Sequence, residues 1–274
     1  MHKSPRIGLA LGGGGARGWA HIGVINALRE IGLEPYCVAG TSMGALVGAA
    51  LASGKAEALQ QVALDLDWRR VLRYFLEISW PRSGLIDGLR VVEFIGNYVT
   101  LGNIDALSMP FAAAATDILS GDEVLMTEGS LIEAVRASIA IPGLFTPVVR
   151  DGRVLVDGGL VNPLPVNAAR RCGAELVIAV DITRAPLPVA RRDRAASRRP
   201  PPARGLPFAF DRNPRVRRML NQLNVQIRRF DVAAWPALRR WHAARELPNI
   251  FEIYGNAMRI VQRQITDIRL KLEP

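Results

Sequence analysis

One serine of this sequence lies in a turn that could make it a nucleophile. Ser42 is the centre of Gly40-Thr41-Ser42-Met43-Gly44, a Gly-x-Ser-x-Gly motif with an apolar segment before it and an Ala-rich segment after it. A serine on a tight strand-to-helix turn presents its hydroxyl group, and the glycines leave room for strained backbone and close packing. The motif therefore predicts acyl-transfer chemistry at Ser42, with a simple helix N-cap as the alternative.

A second motif is the glycine-rich stretch Gly12–Gly18, between the first apolar segment and the first helical one. Gly13, Gly15 and Gly18 satisfy Gly-x-Gly-x-x-Gly, so one interpretation is a dinucleotide-binding loop. That interpretation requires an acidic residue at the end of the second strand, where this sequence has Ala39. The spacing of the glycines alone therefore does not predict nucleotide binding, and a tight strand-to-helix connection also fits it.

An oxyanion hole is the third interpretation of the glycine-rich stretch. Glycines let several backbone N–H groups converge on one negatively charged oxygen, and the N–H of Met43, directly after Ser42, would complete such a pocket. The two turns follow adjacent predicted strands, so we expect both to face the crevice where α/β folds bind ligands.

The sequence offers few candidates for the general base that a serine nucleophile needs. Its three histidines are His2 at the N-terminus, His21 inside the first predicted helix and His242 late in the chain. Only His242 fits a Ser…Asp…His order, and it lies in a polar helical stretch. We expect near wild-type activity after its replacement.

Asp157 is a better candidate for the base. It follows the apolar run Val154-Leu155-Val156, and the two glycines after it, Gly158 and Gly159, would let another loop approach closely. An aspartate with an ordinary pKa near 3.9 is a poor base, so positioning and desolvation must raise its effectiveness. The hypothesis is a dyad in which the Asp157 carboxylate accepts the Ser42 proton directly.

These motifs need a parallel α/β sheet to position them. The apolar segments Arg6–Leu11 and Tyr36–Ala39 are predicted strands, and helical spacing follows over Ala16–Ile31 and Ala45–Ala52. Further strands are predicted at Phe111–Asp117, Glu123–Thr127, Thr146–Arg150, Arg153–Val156 and Leu176–Asp181. Ser130–Ile139 is predicted to be helical, and Lys55–Tyr98 mostly helical with an interruption around Pro81–Gly88. The predicted class is α/β, with a mainly parallel sheet flanked by helices.

Composition divides the chain into three predicted regions. Residues 6–182 form the α/β domain, and the Arg- and Pro-rich residues 183–213 are predicted to be a linker or an exposed loop. Residues 214–274 are predicted to be a helical extension packed on that domain. Within Ile250–Leu272 the apolar residues follow one helical face, which favours packing on the domain, with a dimer or a membrane contact as alternatives.

Bulk composition narrows the class of protein. A chain of 274 residues with 49% hydrophobic residues can bury a sizeable core. The net charge of +10 indicates either attraction to anionic lipid or nucleic acid, or a simple bias toward Arg. No signal peptide and no membrane-spanning run is predicted. Cys37 and Cys172 lack metal-ligand spacing, so we expect two buried, reduced thiols in a cytoplasmic protein.

Taken together, the motifs resemble those of a known family, the patatin-like phospholipases of the bacterial single-domain type. Three ordered blocks carry the resemblance, Gly12–Gly18, Gly40–Gly44 and Asp157–Gly159, and Ala137–Pro142 is similar to a fourth. The resemblance covers residues 6–182 and extends more loosely to Pro214–Leu272. It implies a three-layer α/β/α fold with a C-terminal helical extension.

The resemblance also implies a chemistry. Ser42 would be the nucleophile and Asp157 the base, and the amides of Gly13, Gly14 and Gly15 would form the oxyanion hole. The implied reaction is lipid ester cleavage through an acyl-serine intermediate, with no metal and no cofactor.

The same resemblance carries expectations about partners and chain length. We expect a lipid or fatty-acyl ester substrate and no nucleic-acid partner, with peripheral contact to an anionic membrane and a homodimer as further interpretations. Relatives usually continue with another strand and helix, so we expect an uncovered sheet edge, or cover supplied by a partner or a longer chain.

Overall fold

The computed structural model describes residues 5–64, 89–99, 102–183 and 250–272. Residue contacts divide the chain into two units, residues 1–185 with 255–274, and residues 186–254. Every strand in the described ranges belongs to the first unit, and the second is described only at the start of the last helix. The predicted linker and most of the predicted extension lie outside the described residues, so the division into three regions stays a prediction.

Seven strands form one mixed sheet. They are β1 (Ile7–Leu11), β2 (Cys37–Thr41), β3 (Phe111–Asp117), β4 (Glu123–Met126), β5 (Val148–Arg150), β6 (Arg153–Asp157) and β7 (Leu176–Val180). Their order is β5-β6-β3-β2-β1-β7, and β4 pairs with β3 outside this path. β7, β1, β2 and β3 run parallel, whereas β4 and β6 run antiparallel to β3 and β5 runs antiparallel to β6.

Helices cover both faces of this sheet. They are α1 (Ala20–Glu30), α2 (Met43–Ala52), α3 (Ala56–Leu64), α4 (Leu89–Tyr98), α5 (Leu131–Ser138), α6 (Val166–Arg171) and α7 (Ile250–Leu272). Successive strand residues point to opposite faces, so β1 places Leu9 and Leu11 in one core and Ala10 in another. The first core includes buried residues of α1 to α5, and the second those of α6. The predicted α/β class with flanking helices is confirmed.

The first helix begins later than its apolar spacing predicts. Gly15–Trp19 forms a 3-10 turn, and regular α-helix starts only at Ala20 instead of Ala16. A side chain at Gly18 would collide with the Met43 side chain, so the glycine-rich stretch Gly12–Gly18, here called the glycine loop, approaches α2 very closely at this point. This close approach accounts for the tighter turn.

The C-terminal helix α7, which belongs to the first unit from Gly255 onward, packs through a face of mixed polarity, on which Ile265 is half-buried and Leu270 packs against the second core. Thr266 is 1% exposed and lies on that face. Apolar residues of the predicted stripe lie to one side of it, because Val261, Ile268 and Leu272 are 47%, 56% and 75% exposed. The prediction that this stripe packs on the domain is therefore wrong for these three residues.

Two further features bear on the environment of the protein. None of the described helices is long and apolar enough to cross a membrane. Cys37 is buried and Cys172 half-buried, and both are free thiols. Burial raises the pKa of Cys37 to about 12 and that of Cys172 to about 11, so both remain protonated at neutral pH.

Candidate active site

Ser42 lies in the sharp turn between the end of β2 and the start of α2. Its backbone has φ 55° and ψ −124°, a left-handed conformation that residues other than glycine rarely adopt. A side chain at Gly44 would collide with the Leu11 carbonyl group, and one at Gly40 with the backbone of α2. The two motif glycines therefore allow α2 to pack against β1 and β2 while Ser42 occupies the strained position.

The Ser42 hydroxyl group is hydrogen-bonded to a carboxylate. Its Oγ donates to Oδ2 of Asp157 over 2.6 Å. Asp157 is the last residue of β6, and both residues are buried, with exposed fractions of 5% and 4%. The fold thus brings together the predicted nucleophile and the predicted base, which are 115 residues apart in the sequence.

The other carboxyl oxygen of Asp157 is also held. The Gly159 N–H donates to Oδ1 over 2.7 Å, which fixes the plane of the carboxyl group beside Ser42. Burial raises the pKa of Asp157 to about 6, and the hydrogen bonds from Ser42 and Gly159 partly oppose this rise. Asp157 is therefore ionised at neutral pH, yet it is a stronger base than an exposed aspartate.

The glycine loop has two of its amides bound within the fold. The Gly12 N–H donates to the Val180 carbonyl group over 3.1 Å, and the Gly13 N–H to the Pro163 carbonyl group over 2.8 Å. Gly13 therefore does not have a free amide for an oxyanion, which corrects the expectation for that residue. The same bonds weaken the dinucleotide interpretation, because they occupy donors that a pyrophosphate would need.

Three predicted oxyanion donors are left. Within the described part of the chain, the amides of Gly14, Gly15 and Met43 have no hydrogen-bond acceptor in the protein. Met43 begins α2, where the first N–H groups of a helix lack intrahelical partners. Met43 directly follows Ser42, and a side chain at Gly13 would contact Ser42, so the loop that carries Gly14 and Gly15 runs beside this turn.

His21 has a structural partner in this region. It is fully buried, and its Nε2 lies 2.7 Å from the Gly12 carbonyl oxygen. Because that oxygen can only accept, Nε2 carries the proton, and burial lowers the pKa of the ring so that it stays neutral. His2 and His242 lie outside the described residues. Across the ranges that the structure describes, no cluster of His, Cys, Asp and Glu could hold a metal ion.

The helix α7 also contacts the turn Asp157–Val161 after β6, here called the acidic turn, and the sequence patterns did not indicate this contact. Arg269 Nη1 donates to the Val161 carbonyl group over 3.1 Å, and its Nη2 pairs with Oε2 of Glu123 over 3.1 Å. Glu123 also accepts from Asn162, which is fully buried, and from Asn167. This polar network ties α7 to β4, α6 and the segment after Asp157.

Comparison with known proteins identifies the family. A family model described as patatin-like phospholipase matches residues 9–170, which is more than half of the chain. The chain therefore belongs to the patatin-like phospholipase family, as the resemblance of its motifs predicted. Helix α7 lies outside the matched range, whereas the residues that Arg269 contacts, Glu123 and Val161, lie inside it.

Several known proteins are similar to this chain. An uncharacterized NTE family protein of Mycobacterium tuberculosis is 44% identical over 180 residues, which are 66% of this chain and 50% of that protein. Patatin-like phospholipase domain-containing protein 6 of Homo sapiens is 37% identical over 183 residues, which are 64% of this chain and 13% of that protein. The crystal structure of VipD from Legionella pneumophila has a TM-score of 0.39 at 16% identity, over 58% of this chain and 46% of that one. The chain thus spans half the length, or less, of these relatives.

Proposed function

We propose that the protein is a lipid acyl hydrolase in which Ser42 is the nucleophile and Asp157 the general base. The observation that carries this proposal is the hydrogen bond of 2.6 Å from Ser42 Oγ to a buried carboxylate. Membership of the patatin-like phospholipase family supports a lipid ester as the substrate. His21 is neutral, and its Nε2 proton is bound to the Gly12 carbonyl group, so it is not needed in the scheme.

The chemistry follows from this arrangement. As Ser42 Oγ attacks the ester carbonyl carbon, its proton passes to Oδ2 of Asp157. The proton then moves to the departing alcohol oxygen as the ester C–O bond breaks, which leaves an acyl-serine. Water attacks this intermediate after losing a proton to Asp157, which returns the proton to Ser42 as the fatty acid leaves.

The negative oxygen of each tetrahedral intermediate needs hydrogen-bond donors. We assign this role to the amides of Gly14, Gly15 and Met43, because the Gly13 amide is bound to Pro163. Loss of one such donor typically lowers the rate by about 10²–10³-fold. The N-terminus of α2 adds favourable electrostatics at the same place.

Replacement of the nucleophile tests this proposal. Ser42→Ala should remove hydrolysis of a p-nitrophenyl ester and of phospholipid vesicles, with a loss of at least about 10⁴-fold. Ser53→Ala is the matched control, since Ser53 donates to the Ala49 carbonyl group at the end of α2, away from Asp157. Activity in a folded Ser42→Ala variant close to that of the control would reject the assignment.

We further propose that the protein reaches its substrate by peripheral contact with an anionic lipid surface on the cytoplasmic side. The net charge of +10 supports this contact, because it attracts the protein to negatively charged head groups. The exposed apolar residues Val261, Ile268 and Leu272 of α7 would also suit a homodimer. Mass measurements in solution distinguish a homodimer from a monomer that binds lipid.

A further inference from the structure

A buried serine at the end of α5 contacts the backbone of the nucleophile. Ser138 is fully buried, and its Oγ accepts a hydrogen bond of 2.8 Å from the Ser42 N–H. The same Oγ donates to the Ala114 carbonyl group over 2.6 Å. Since a hydroxyl group has only one hydrogen, the bond to Ala114 directs an oxygen lone pair at Ser42.

The Ala114 carbonyl group belongs to a strand that is paired on both sides within the sheet. Ala114 lies on β3 opposite Thr41, the residue before the nucleophile, and the next residue, Ala115, lies opposite Asp157. A side chain at Gly158 would collide with the Ala114 carbonyl oxygen, so the acidic turn packs directly against it. Ser138 is therefore bonded to β3, which lies between β2, the strand that leads to Ser42, and β6, the strand that ends at Asp157.

The residues after Ser138 hold the other member of the pair. The Asp157 N–H donates to the Ala140 carbonyl group over 2.9 Å. The segment 138–140 thus binds the backbone of both Ser42 and Asp157, which come from different strands. The separation between these two backbones sets the distance from Oγ to Oδ2.

We propose that Ser138 is a positioning residue that holds Ser42 in its strained backbone conformation, at the correct distance from Asp157. This inference rests on the proposed roles of those two residues. A backbone with φ 55° persists only when its surroundings hold it there. Without the Ser138 hydroxyl group, the buried Ser42 N–H and Ala114 carbonyl group lose this hydrogen-bond partner, and the turn is released.

Two substitutions on the same helix separate positioning from stability. Ser138→Ala should lower kcat by about 10–100-fold, because a displacement near 1 Å can cost about 10²-fold in rate, while KM changes little. Ser130→Ala is the matched control, since Ser130 caps the opposite end of α5 by accepting from the Glu133 N–H. It should lower the thermal stability but leave kcat within about twofold of wild type.

Hydrogen exchange of the Ser42 amide adds a measurement that needs no turnover. The amide should exchange at least about tenfold faster in Ser138→Ala than in the wild type or in Ser130→Ala. In Ser138→Cys the side chain fills the site but accepts hydrogen bonds only weakly, so the exchange rate of the Ser42 amide should lie between those of the wild type and Ser138→Ala. This cysteine variant replaces the alanine variant if the alanine variant does not fold. Wild-type kcat, or an unchanged Ser42 exchange rate, in a folded variant would overturn the inference. A wild-type enzyme without hydrolysis would instead contradict the proposed function, and the exchange rates would still test the contact.

Discussion

At the scale of single residues, Asp157 combines two properties that oppose each other. Its burial raises the pKa to about 6, which makes the carboxylate a better proton acceptor. The same burial makes the charged form unfavourable in the folded protein. The hydrogen bonds from Ser42 and Gly159 offset only part of that effect, so the carboxylate that we assign as the base is also a source of instability.

The pH dependence of activity follows from this pKa. The proposed mechanism needs ionised Asp157, so kcat/KM for a neutral ester should rise with pH through an apparent pKa of about 6 and then level off. A pH–rate profile from pH 4.5 to 8.5, within the range where the protein stays folded, checks this. An activity that falls as the pH rises through this range would contradict the role of Asp157.

The free energy of unfolding should also depend on the ionisation of Asp157, but it should fall with rising pH where the activity rises. Because the pKa is higher in the folded state than in the unfolded state, the stabilising effect of protonation is complete below about pH 4 and is lost as pH rises through 6. Asp157→Asn should therefore lower kcat by about 10²–10⁴-fold but raise the free energy of unfolding at pH 8 by roughly 1–3 kcal/mol. Urea unfolding at pH 8 and pH 4.5 measures this, and the gain should shrink at the lower pH. A variant less stable than wild type at pH 8 would count against the burial argument.

At the scale of elements, the sequence predicts what is encoded locally. The turn at Ser42 follows from the glycines beside it, and Asp157 from its place after an apolar strand. The contact between Ser138 and Ser42 spans 96 residues, and that between Arg269 and Val161 spans 108 residues. Such partners are set by how helices pack on the sheet, which no local pattern encodes. The bound amide of Gly13 was missed for the same reason, because its acceptor belongs to Pro163.

The contribution of α7 can be tested by two arginine substitutions on that helix. Arg269→Ala removes the bonds to Glu123 and Val161. The partly buried Glu123 carboxylate then keeps only the amide groups of Asn162 and Asn167 and loses its positively charged partner, so we expect a loss of about 1–3 kcal/mol in unfolding free energy. Arg263→Ala removes only an exposed pair with Asp267 and should change it by less than about 0.5 kcal/mol. Equal effects of the two substitutions in urea unfolding would show that α7 does not support the acidic turn.

At the scale of the whole molecule, the first unit extends beyond the part that the family model covers. The family model matches residues 9–170, and both β7 and α7 lie outside this range. Nevertheless, β7 contacts the glycine loop and α7 contacts the acidic turn. Charge is another property of the whole chain, with 35 Lys and Arg against 25 Asp and Glu. That excess favours association with an anionic surface and makes the association depend on salt.

Sedimentation with lipid vesicles measures the association of the protein with an anionic surface. We expect the protein to sediment with vesicles that contain about 30% phosphatidylserine and much less with pure phosphatidylcholine, because the head-group charge supplies the attraction. Raising the salt concentration from 0.05 M to 0.5 M should release most of the bound protein from the vesicles, because the electrostatic screening length shortens severalfold. Ser42→Ala should bind equally well, which separates lipid binding from hydrolysis. Equal, salt-independent binding to both vesicles would argue against the electrostatic contact.

The most direct test of the central claim is to find which residue a fluorophosphonate labels. Such probes react with an activated serine, so peptide mapping of the labelled wild-type protein should place the adduct on Ser42, and Asp157→Asn should slow the labelling by about 10²-fold or more. Replacement of His242 should leave the labelling rate close to that of the wild type. An adduct on another residue, or undiminished labelling of Ser42 in Asp157→Asn, would contradict a Ser42–Asp157 dyad.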